Sequence, residues 1–360
     1  MQPDSLKELL ANYRLPAQLG FGQALAPVMY RAEYRDGHWD PGGLVPYAPI
    51  AIDPAATVLQ YAQQAFEGLK AYRVGQPEPV LFRPELNYFR LLQSSRRMCM
   101  PALPASLFAR ALSEVTTTLA DFIPGGSGQS LYLRPFLMGT GPCLAVKSSD
   151  AFTFLLIASP SDTYFSKPIR VMVEREHCRA AVGGTGADKV GGNYAASLQA
   201  TTGCIELGFD QPLWLDPKER RCIEELSGMN LVAVIGDELH TPRLSGSILP
   251  GVTRDSLLEL ARHSGLVVVE RAMPIDELLA DVTGGRCSEF FACGTAAIVC
   301  PIAAIGERDG SMVELPQTGR VSAQLRSAIL DIQEGRAPDP FDWTVNAADA
   351  EALLARMSRK

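Results

Sequence analysis

The sequence predicts a two-domain protein of the α+β class, and three observations lead to this prediction. At the usual size of about 150 residues per domain, the 360 residues of the chain suffice for two domains. Helix-like and strand-like patterns are mixed along the chain without the strict alternation that marks doubly wound parallel sheets. The segment SPSDTYFSKP at 159–168 carries two prolines and four Ser or Thr residues and has the composition of a linker. We therefore predict one domain over 1–161, a linker over 162–172 and a second domain over 173–360, with a cleft at the linker.

The first half of the chain contains patterns for one short strand, two helices and two longer strands. Residues 80–83 predict the short strand, and Pro84 then opens a helix in which apolar side chains recur at roughly helical spacing. Residues 105–122 predict a second helix, which ends before the loop PGGSG. The β-rich runs SLYLRPFLMG and DAFTFLLIASP have the length of strands.

The second half is predicted to begin with the strand IRVMVERE and to reach a glycine-rich segment. The runs PLWLDP and CIEELSGMNLVAVIGD come next, the second of them β-like at its start. After a loop at PGVTRD, the helix DSLLELARHSG, the strand LVVVERAM and the helix PIDELLADVTGG are predicted. Many of the predicted strands are close enough in sequence to be antiparallel neighbours.

Composition excludes several classes of function. Lys and Arg number 33 against 40 Asp and Glu, a net charge of −7, and no basic block is present to bind a nucleic acid backbone. No apolar run approaches the ~20 residues that cross a bilayer, and the N-terminus lacks the pattern of a secretory signal, so we expect a cytoplasmic protein. The eight cysteines include no CxxC pair, and no histidine lies at zinc-ligand spacing, which favours free thiols over a metal site.

Lys189 is the most informative candidate for chemistry. It is one of only seven lysines, and it lies in GGTGADKVGGNYAAS with glycines on both sides. A lysine in a water-poor, glycine-rich turn can have the pKa of its ammonium lowered, and the neutral amine can then form a Schiff base. A solvated loop lysine is the alternative. The segment matches neither a Walker phosphate-binding loop nor a GxGxxG fingerprint.

Several other positions are compatible with a functional site or with an ordinary structural role. PGVTRD places Val252 and Thr253 at a helix start, where free backbone N–H groups could hold a phosphate or could simply be capped. Arg90 and Arg134 either extend to water or bind an anion. Glu225, just before the turn SGMN, either points from a strand end into a cleft or is exposed.

Seven blocks along the chain form an ordered set: AFEGLKAYR, LFRPELNYFRLL, LYLRP, KVGGNYAASL, EELSGMN, ILPGVTRDSLLELA and CGTAAIVCP. Together they resemble the branched-chain amino acid aminotransferases of the class IV pyridoxal phosphate family, from about Tyr30 to Ile305. The resemblance implies fold type IV, with a smaller α/β N-terminal domain. The larger C-terminal domain would bind the cofactor and have a partly barrel-like β core.

The resemblance implies pyridoxal 5′-phosphate as the cofactor and a role for each residue around it. Lys189 would form the Schiff base and act as general acid and base. Tyr194 would hydrogen-bond the phenolate oxygen of the cofactor, and Glu225 would pair with its pyridine nitrogen. The implied phosphate-binding groups are Arg90, the backbone N–H groups of Val252 and Thr253, and the hydroxyl of Thr295.

The resemblance also implies a reaction and its substrates. The amino group of leucine, isoleucine or valine would pass to the cofactor and from there to 2-oxoglutarate, in a ping-pong exchange. The implied substrate-binding residues are Tyr61, Phe66, Tyr132, Arg134, Tyr164 and Ala296. In the family the tyrosine of LYLRP reaches into the partner's site, so a homodimer is implied.

Two positions depart from the family pattern. Mammalian members carry a CxxC redox pair where this chain has Ala297 and Cys300, so a thiol switch is not expected. Gly228 stands where mammalian relatives have a threonine near the substrate. The alternatives are a D-amino-acid aminotransferase or an aminodeoxychorismate lyase of the same fold, and a non-catalytic relative that binds the cofactor. The blocks AFEGLKAY and LYLRP favour the branched-chain enzyme.

Overall fold

The computed structural model describes residues 3–163, 167–316 and 319–359. The chain divides into two compact units. The first comprises Met1–Tyr164, Asp188–Gly191 and Leu330–Lys360, and the second comprises Phe165–Ala187 and Gly192–Ile329. Each unit is built on a nine-stranded sheet and also contains helices, which confirms the predicted α+β class.

The helices of the described ranges are α1 (Pro3–Asn12), α2 (Thr57–Tyr61), α3 (Pro84–Arg97), α4 (Ala105–Thr118), α5 (Gly191–Glu206), α6 (Val252–His263), α7 (Ile275–Thr283), α8 (Arg320–Gln333) and α9 (Ala350–Ser358). A short 3-10 helix follows α4 at Ala120–Phe122. The helix predicted over 105–122 is thus two elements. Among the residues that the structure describes, no helix is both long and apolar enough to span a bilayer.

The strands are β1 (Val28–Arg35), β2 (His38–Trp39), β3 (Gly43–Pro46), β4 (Gln64–Phe66), β5 (Leu69–Tyr72), β6 (Val80–Phe82), β7 (Ser130–Gly139), β8 (Phe152–Ser161), β9 (Ile169–Glu174), β10 (Gln211–Leu215), β11 (Ile223–Leu226), β12 (Asn230–Ile235), β13 (Glu238–Pro242), β14 (Val267–Arg271), β15 (Cys287–Gly294), β16 (Ile298–Gly306), β17 (Met312–Glu314) and β18 (Thr344–Asn346).

The sheet of the first unit has the order β18-β6-β5-β7-β8-β1-β2, with β3 paired to β1 and β4 paired to β7. Its longest pair, β7 and β8, is antiparallel over ten residues each. Helix α4 contributes Phe108 and Leu112 to the core, which also contains Phe154 and Leu156 of β8. Burial of these apolar side chains is what holds helix and sheet together.

The sheet of the second unit has the order β11-β10-β9-β16-β15-β12-β13-β14, with β17 paired to β16. Strand β9 lies parallel to both β10 and β16. Residues 169–172, the end of the linker predicted over 162–172, lie in β9, which begins at Ile169, and Val171 is fully buried. Helix α6 begins at Val252, three residues before the predicted helix DSLLELARHSG.

The compact units divide the chain differently from the predicted domains. The segment 330–360, predicted as part of the second domain, belongs to the first unit. There β18 pairs antiparallel with β6, and Leu353 and Met357 of α9 join the core of that unit. Residues 188–191 also belong to the first unit, which assigns Lys189 to it.

Candidate active site

The backbone of Lys189 is held on two sides within the first unit. Its N–H donates to Ser94 Oγ of α3 at 2.9 Å, and its carbonyl accepts from the N–H of Phe66 at 3.0 Å. The next residue, Val190, forms an antiparallel bridge with Ala65. Strand β4 and helix α3 therefore fix the main chain at this lysine.

The side chain of Lys189 lies over an aromatic ring. Its Nζ is 4.9 Å from the centroid of the Phe66 ring, within the range of a cation–π contact. The side chain is half-buried. The residue predicted to carry the chemistry is thus neither fully solvated nor enclosed, and its amine lies against one aromatic ring.

A buried ion pair lies beside this lysine. Arg90 Nε donates to Glu67 Oε1 at 2.6 Å, and Arg90 Nη2 donates to Glu67 Oε2 at 2.8 Å. Asn87 Nδ2 adds a hydrogen bond to the same Oε2 at 2.8 Å. The charge of Lys189 is also one of the influences that favour the ionised form of Glu67. Arg90, predicted to meet an anion, has a protein carboxylate on one edge of its guanidinium.

The polar side chains that contact these residues share one face of α3. Asn87, Arg90 and Ser94 are all buried and are spaced three and four residues apart, so they project on the same side of the helix. Gln93 Nε2 donates to Asp188 Oδ1 at 3.2 Å. The helix thus carries hydrogen-bonding groups where an ordinary amphipathic helix would be apolar.

Three of the predicted substrate-binding residues form a cluster in the first unit. The guanidinium carbon of Arg134 lies 4.8 Å from the ring centroid of Phe66 and 5.3 Å from that of Tyr132. Arg134 Nη2 donates to the Tyr132 hydroxyl at 2.9 Å. The cluster shares Phe66 with Lys189. It combines aromatic surface with one cation and one hydroxyl.

Two other predicted substrate-binding residues of this region are not seen in the cluster. Tyr61 ends α2, is 39% exposed, and donates its hydroxyl to the carbonyl of Leu144. Tyr164 lies outside the described residues.

In the second unit, Glu225 is held by three donors. Arg179 Nη2 lies 2.8 Å from its Oε1, the N–H of Leu249 donates to the same oxygen at 3.1 Å, and Asn230 Nδ2 donates to Oε2 at 3.1 Å. The carboxylate is buried near the end of β11. Glu225 is therefore a buried carboxylate near a strand end, and the exposed position considered from the sequence is excluded.

The remaining predicted residues lie at a helix start and in a turn of the second unit. Val252 and Thr253 are buried at the first two positions of α6, and the N-cap, Gly251, makes no side-chain cap. A Cβ at Gly251 would collide with Asn230 Oδ1, so a larger residue there would displace the Asn230 side chain. Thr295 and Ala296 are half-buried in the three-residue turn between β15 and β16.

Tyr194 lies in the first turn of α5 and is half-buried. Its nearest ring carbon is 4.0 Å from the position of a Cβ on Gly228. A side chain at residue 228 would therefore touch Tyr194, and the glycine leaves that space open. Within the described ranges, no group of three or more His, Cys, Asp or Glu side chains is arranged to hold a metal ion.

Sequence reasoning did not single out several residues of these arrangements, among them Glu67, Arg179 and Asn230. Glu67 stands in the block AFEGLKAYR, where one acidic residue between apolar neighbours was the available signal. Arg179 had no comparable signal, because it reaches Glu225 from a different segment of the chain. Asn230 lies only five residues after Glu225, at the end of the block EELSGMN, so its position in that block was the available signal.

Comparison with known proteins agrees with this architecture. The model of the amino-transferase class IV family matches residues 64–305. Branched-chain-amino-acid transaminase 1 of Bacillus subtilis is 44% identical over 336 residues, covering 92% of this chain and 94% of that protein. The branched-chain-amino-acid aminotransferase of Mycolicibacterium smegmatis is 44% identical over 337 residues, which cover 91% of this chain and 92% of that protein.

Solved structures extend the comparison to the fold. The T.th. branched-chain amino acid aminotransferase with pyridoxamine 5′-phosphate has a TM-score of 0.74 at 25% identity, covering 90% of this chain and 100% of that chain. The Escherichia coli branched-chain amino acid aminotransferase has a TM-score of 0.71 at 25% identity, covering 88% and 98%. The fold is therefore that of the fold-type IV enzymes. The chain belongs to the class IV aminotransferase family, which confirms the resemblance read from its seven blocks.

Proposed function

We propose that this protein is a branched-chain amino acid aminotransferase that uses pyridoxal 5′-phosphate. It would exchange the amino group between leucine, isoleucine or valine and 2-oxoglutarate. The observation that carries the proposal is the anchoring of Lys189, whose backbone is bonded to Ser94 and Phe66 while its amine lies over the Phe66 ring. The names of the relatives that are 44% identical support the substrate class.

The residues present fit this cofactor chemically. Arg90 is a buried cation suited to a phosphate dianion, and the uncapped start of α6 offers the N–H groups of Val252 and Thr253. Thr295 would add a hydroxyl. When bound, the cofactor supplies an electron-poor ring that accepts the electron pair released as the Cα proton leaves.

Two further groups would hold the ring of the cofactor. Glu225, fixed by three donors, is suited to pair with a protonated pyridine nitrogen. Tyr194 would donate its hydroxyl to the phenolate oxygen. Both residues belong to the second unit, whereas Lys189 and Arg90 belong to the first.

Lys189 has two roles in this proposal: covalent attachment and proton transfer. Once the amino acid has displaced it from the cofactor, its amine would move the proton from Cα of the amino acid to C4′ of the cofactor, and back again in the reverse reaction. Because the backbone at Lys189 is bonded on both sides, Nζ moves only through side-chain rotation. The Phe66 ring lies on one side of the amine, with its centroid 4.9 Å from Nζ.

The substrate site must accept an apolar side chain and the carboxylate of glutamate in turn. Phe66 and Tyr132 provide apolar surface, worth ~0.8 kcal/mol for each methylene buried. Arg134, 4.8 Å from the Phe66 ring, and the Tyr132 hydroxyl would meet the carboxylate of glutamate. Tyr61, Tyr164 and Ala296 belong to the same proposed site.

A homodimer, with Tyr132 near the partner's site, and a cytoplasmic location are part of this proposal. All eight cysteines are free thiols, which supports a reducing compartment. Analytical ultracentrifugation would test the dimer. A species with the mass of one chain at working concentrations would contradict it.

The absorption spectrum of the purified, cofactor-loaded protein tests the function. Isoleucine added without a second substrate should remove the band of the bound pyridoxal form and raise that of the pyridoxamine form. The same addition to Lys189→Ala should raise no pyridoxamine band, because the amine that would move the Cα proton is missing. A spectrum unmoved by isoleucine but changed by D-alanine would instead indicate the D-specific relative, and absence of any cofactor band after reconstitution would refute the proposal.

A further inference from the structure

We propose that Glu67 is a positioning residue that sets the guanidinium of Arg90 for the phosphate of the cofactor. This inference rests on the proposed function, which assigns Arg90 to that phosphate. Glu67 directly follows Phe66, the last residue of β4. Two consecutive residues therefore contact the two groups on which the chemistry depends, because Phe66 contacts Lys189 and Glu67 contacts Arg90.

The pairing of Glu67 with Arg90 has the geometry that orients a guanidinium. The two oxygens of the carboxylate accept from Nε and Nη2 at 2.6 and 2.8 Å, so both groups lie edge to edge. A bidentate pair of this kind fixes the plane of the guanidinium as well as its distance. The direction of the remaining guanidinium nitrogen, Nη1, is then defined as well.

Glu67 is itself held in place. Its Oε2 accepts from Asn87 Nδ2 at 2.8 Å and from the N–H of Gly68 at 3.2 Å, and the side chain is completely buried. Asn87 lies one helical turn before Arg90 on α3, so one helix contributes two donors to the same carboxylate. A carboxylate with this many partners has no alternative orientation in which its oxygens would be satisfied.

Charge favours the same arrangement. Burial opposes ionisation of Glu67, but Arg90, Lys189 and the hydrogen bond from Asn87 hold the pKa of this carboxyl below its ordinary value. At neutral pH the buried arginine is therefore paired with an ionised carboxylate. Without that partner, the two guanidinium donors that now contact Glu67 would lose their acceptor in a buried site, and the side chain would reorient to satisfy them.

The test compares two ligands that differ by the phosphate. Wild-type apoprotein, Glu67→Gln and Glu85→Gln are each titrated with pyridoxal 5′-phosphate and with pyridoxal, and the dissociation constants are measured by absorbance. Glutamine keeps the size of Glu67 but presents an N–H group where an acceptor is needed. Glu85→Gln is the matched control, because Glu85 stands in the first turn of the same helix, 3.9 Å from Arg356.

For Glu67→Gln we expect the dissociation constant for pyridoxal 5′-phosphate to rise about tenfold or more, with that for pyridoxal unchanged. Glu85→Gln should bind both ligands as the wild type does. Because Glu67 acts through Arg90, the double variant Glu67→Gln/Arg90→Gln should bind pyridoxal 5′-phosphate as weakly as Arg90→Gln alone.

Several results would overturn the inference. Equal losses for both ligands would mean that Glu67 only supports the local structure, and wild-type affinity in Glu67→Gln would remove the role altogether. If Glu67→Gln does not fold, Asn87→Ala provides the same test, with an expected loss of about threefold for the phosphorylated ligand only. If the wild type binds neither ligand, the proposed function fails and this inference fails with it. If the wild type binds both ligands, an unexpected result for Glu67→Gln contradicts only the role given to Glu67.

Discussion

Arg179 donates to Glu225 across 2.8 Å, and the two side chains are only 5% and 4% exposed. The same guanidinium donates to the carbonyl of Gly186 at 3.1 Å and to that of Ser247 at 3.4 Å. Arg179 thus joins the glycine-rich segment, the loop before α6 and the strand that carries Glu225. Its charge compensates a buried carboxylate that also accepts from the neutral donors of Leu249 and Asn230.

Loss of Arg179 should therefore cost more stability than loss of an exposed arginine. We expect Arg179→Met to lower the free energy of unfolding by about 3–5 kcal/mol, because the buried Glu225 would lose this charged partner. The control is Arg175→Met, which breaks a bidentate pair with Glu307 at a site where Arg175 is 42% exposed. That change should cost less than about 1 kcal/mol.

Urea denaturation followed by circular dichroism measures both variants in the apoprotein. Equal costs for the two arginines would contradict the role assigned to Arg179. A larger loss of stability in Arg175→Met than in Arg179→Met would reverse the expected order of the two variants.

Glu224, the neighbour of Glu225, predicts a dependence of stability on pH. Burial raises the pKa of this carboxyl above its ordinary value of 4.5, although Ser247 donates a hydrogen bond to it and Arg179 lies near. Between 4.5 and the raised pKa, the folded chain binds this proton more tightly than the unfolded chain does. The contribution of Glu224 to stability therefore rises as pH falls through that window and is lost as pH rises above the raised pKa.

Glu224→Gln should remove this contribution while keeping an acceptor for Ser247. We expect the melting temperature of the wild type, minus that of the variant, to increase as pH falls from about 7.5 to about 5. Thermal melts of both proteins in matched buffers measure the difference. A difference that stays constant over this range would show that Glu224 does not titrate with a raised pKa.

The elements of the fold were predictable where the pattern is local. Pro84 and the spacing of apolar residues after it predicted α3, which spans Pro84–Arg97. Only Arg90 of the polar face of that helix was singled out from the sequence, as a residue that extends to water or binds an anion. Asn87 and Ser94 carry no signal until their partners are known. Those partners, Glu67 and the backbone of Lys189, come from segments about 20 and 95 residues away.

The pairing of distant segments explains the other differences. Strand β18 is only three residues long, and it pairs with β6 across more than 250 residues of sequence. Neither strand carries a signal for the other, so the predicted second domain extended to residue 360. Lys189 was singled out because its flanking glycines are a local signal, whereas its attachment to β4 depends on the tertiary fold.

Gly68 is required by the close approach of Tyr132. A Cβ at residue 68 would overlap the Tyr132 hydroxyl oxygen and would lie 2.9 Å from the ring carbon that bears it. Gly68→Ala should therefore displace Tyr132 and break its hydrogen bond with Arg134. We expect a loss of about 1–3 kcal/mol in stability and, on the proposed function, a KM for glutamate that rises more than the KM for leucine.

Gly43→Ala is the matched control, because no atom lies within 4 Å of its Cβ position. Urea denaturation and steady-state kinetics with each amino acid measure the two effects. Unchanged stability in Gly68→Ala would mean that Tyr132 moves aside at no cost, and equal changes in the two KM values would remove the polar role given to Tyr132 and Arg134.

Cys300 is predicted to be chemically inert in the folded protein. Burial raises the pKa of its thiol to about 12, so the reactive thiolate is scarce at neutral pH. The position three residues before it is Ala297, which leaves no thiol at CxxC spacing. By contrast, Cys99 and Cys178 are exposed.

N-ethylmaleimide at neutral pH should therefore label Cys99 and Cys178 rapidly and leave Cys300 unlabelled until urea is added. Cys287 and Cys293 should behave like Cys300, because burial raises the pKa of each thiol to about 12. Mass spectrometry of peptides, sampled over time, measures the labelling of each site. Labelling of Cys300 at the rate of Cys99 would show that the strand β16 opens readily in the native protein, and a redox role for this thiol would then have to be reconsidered.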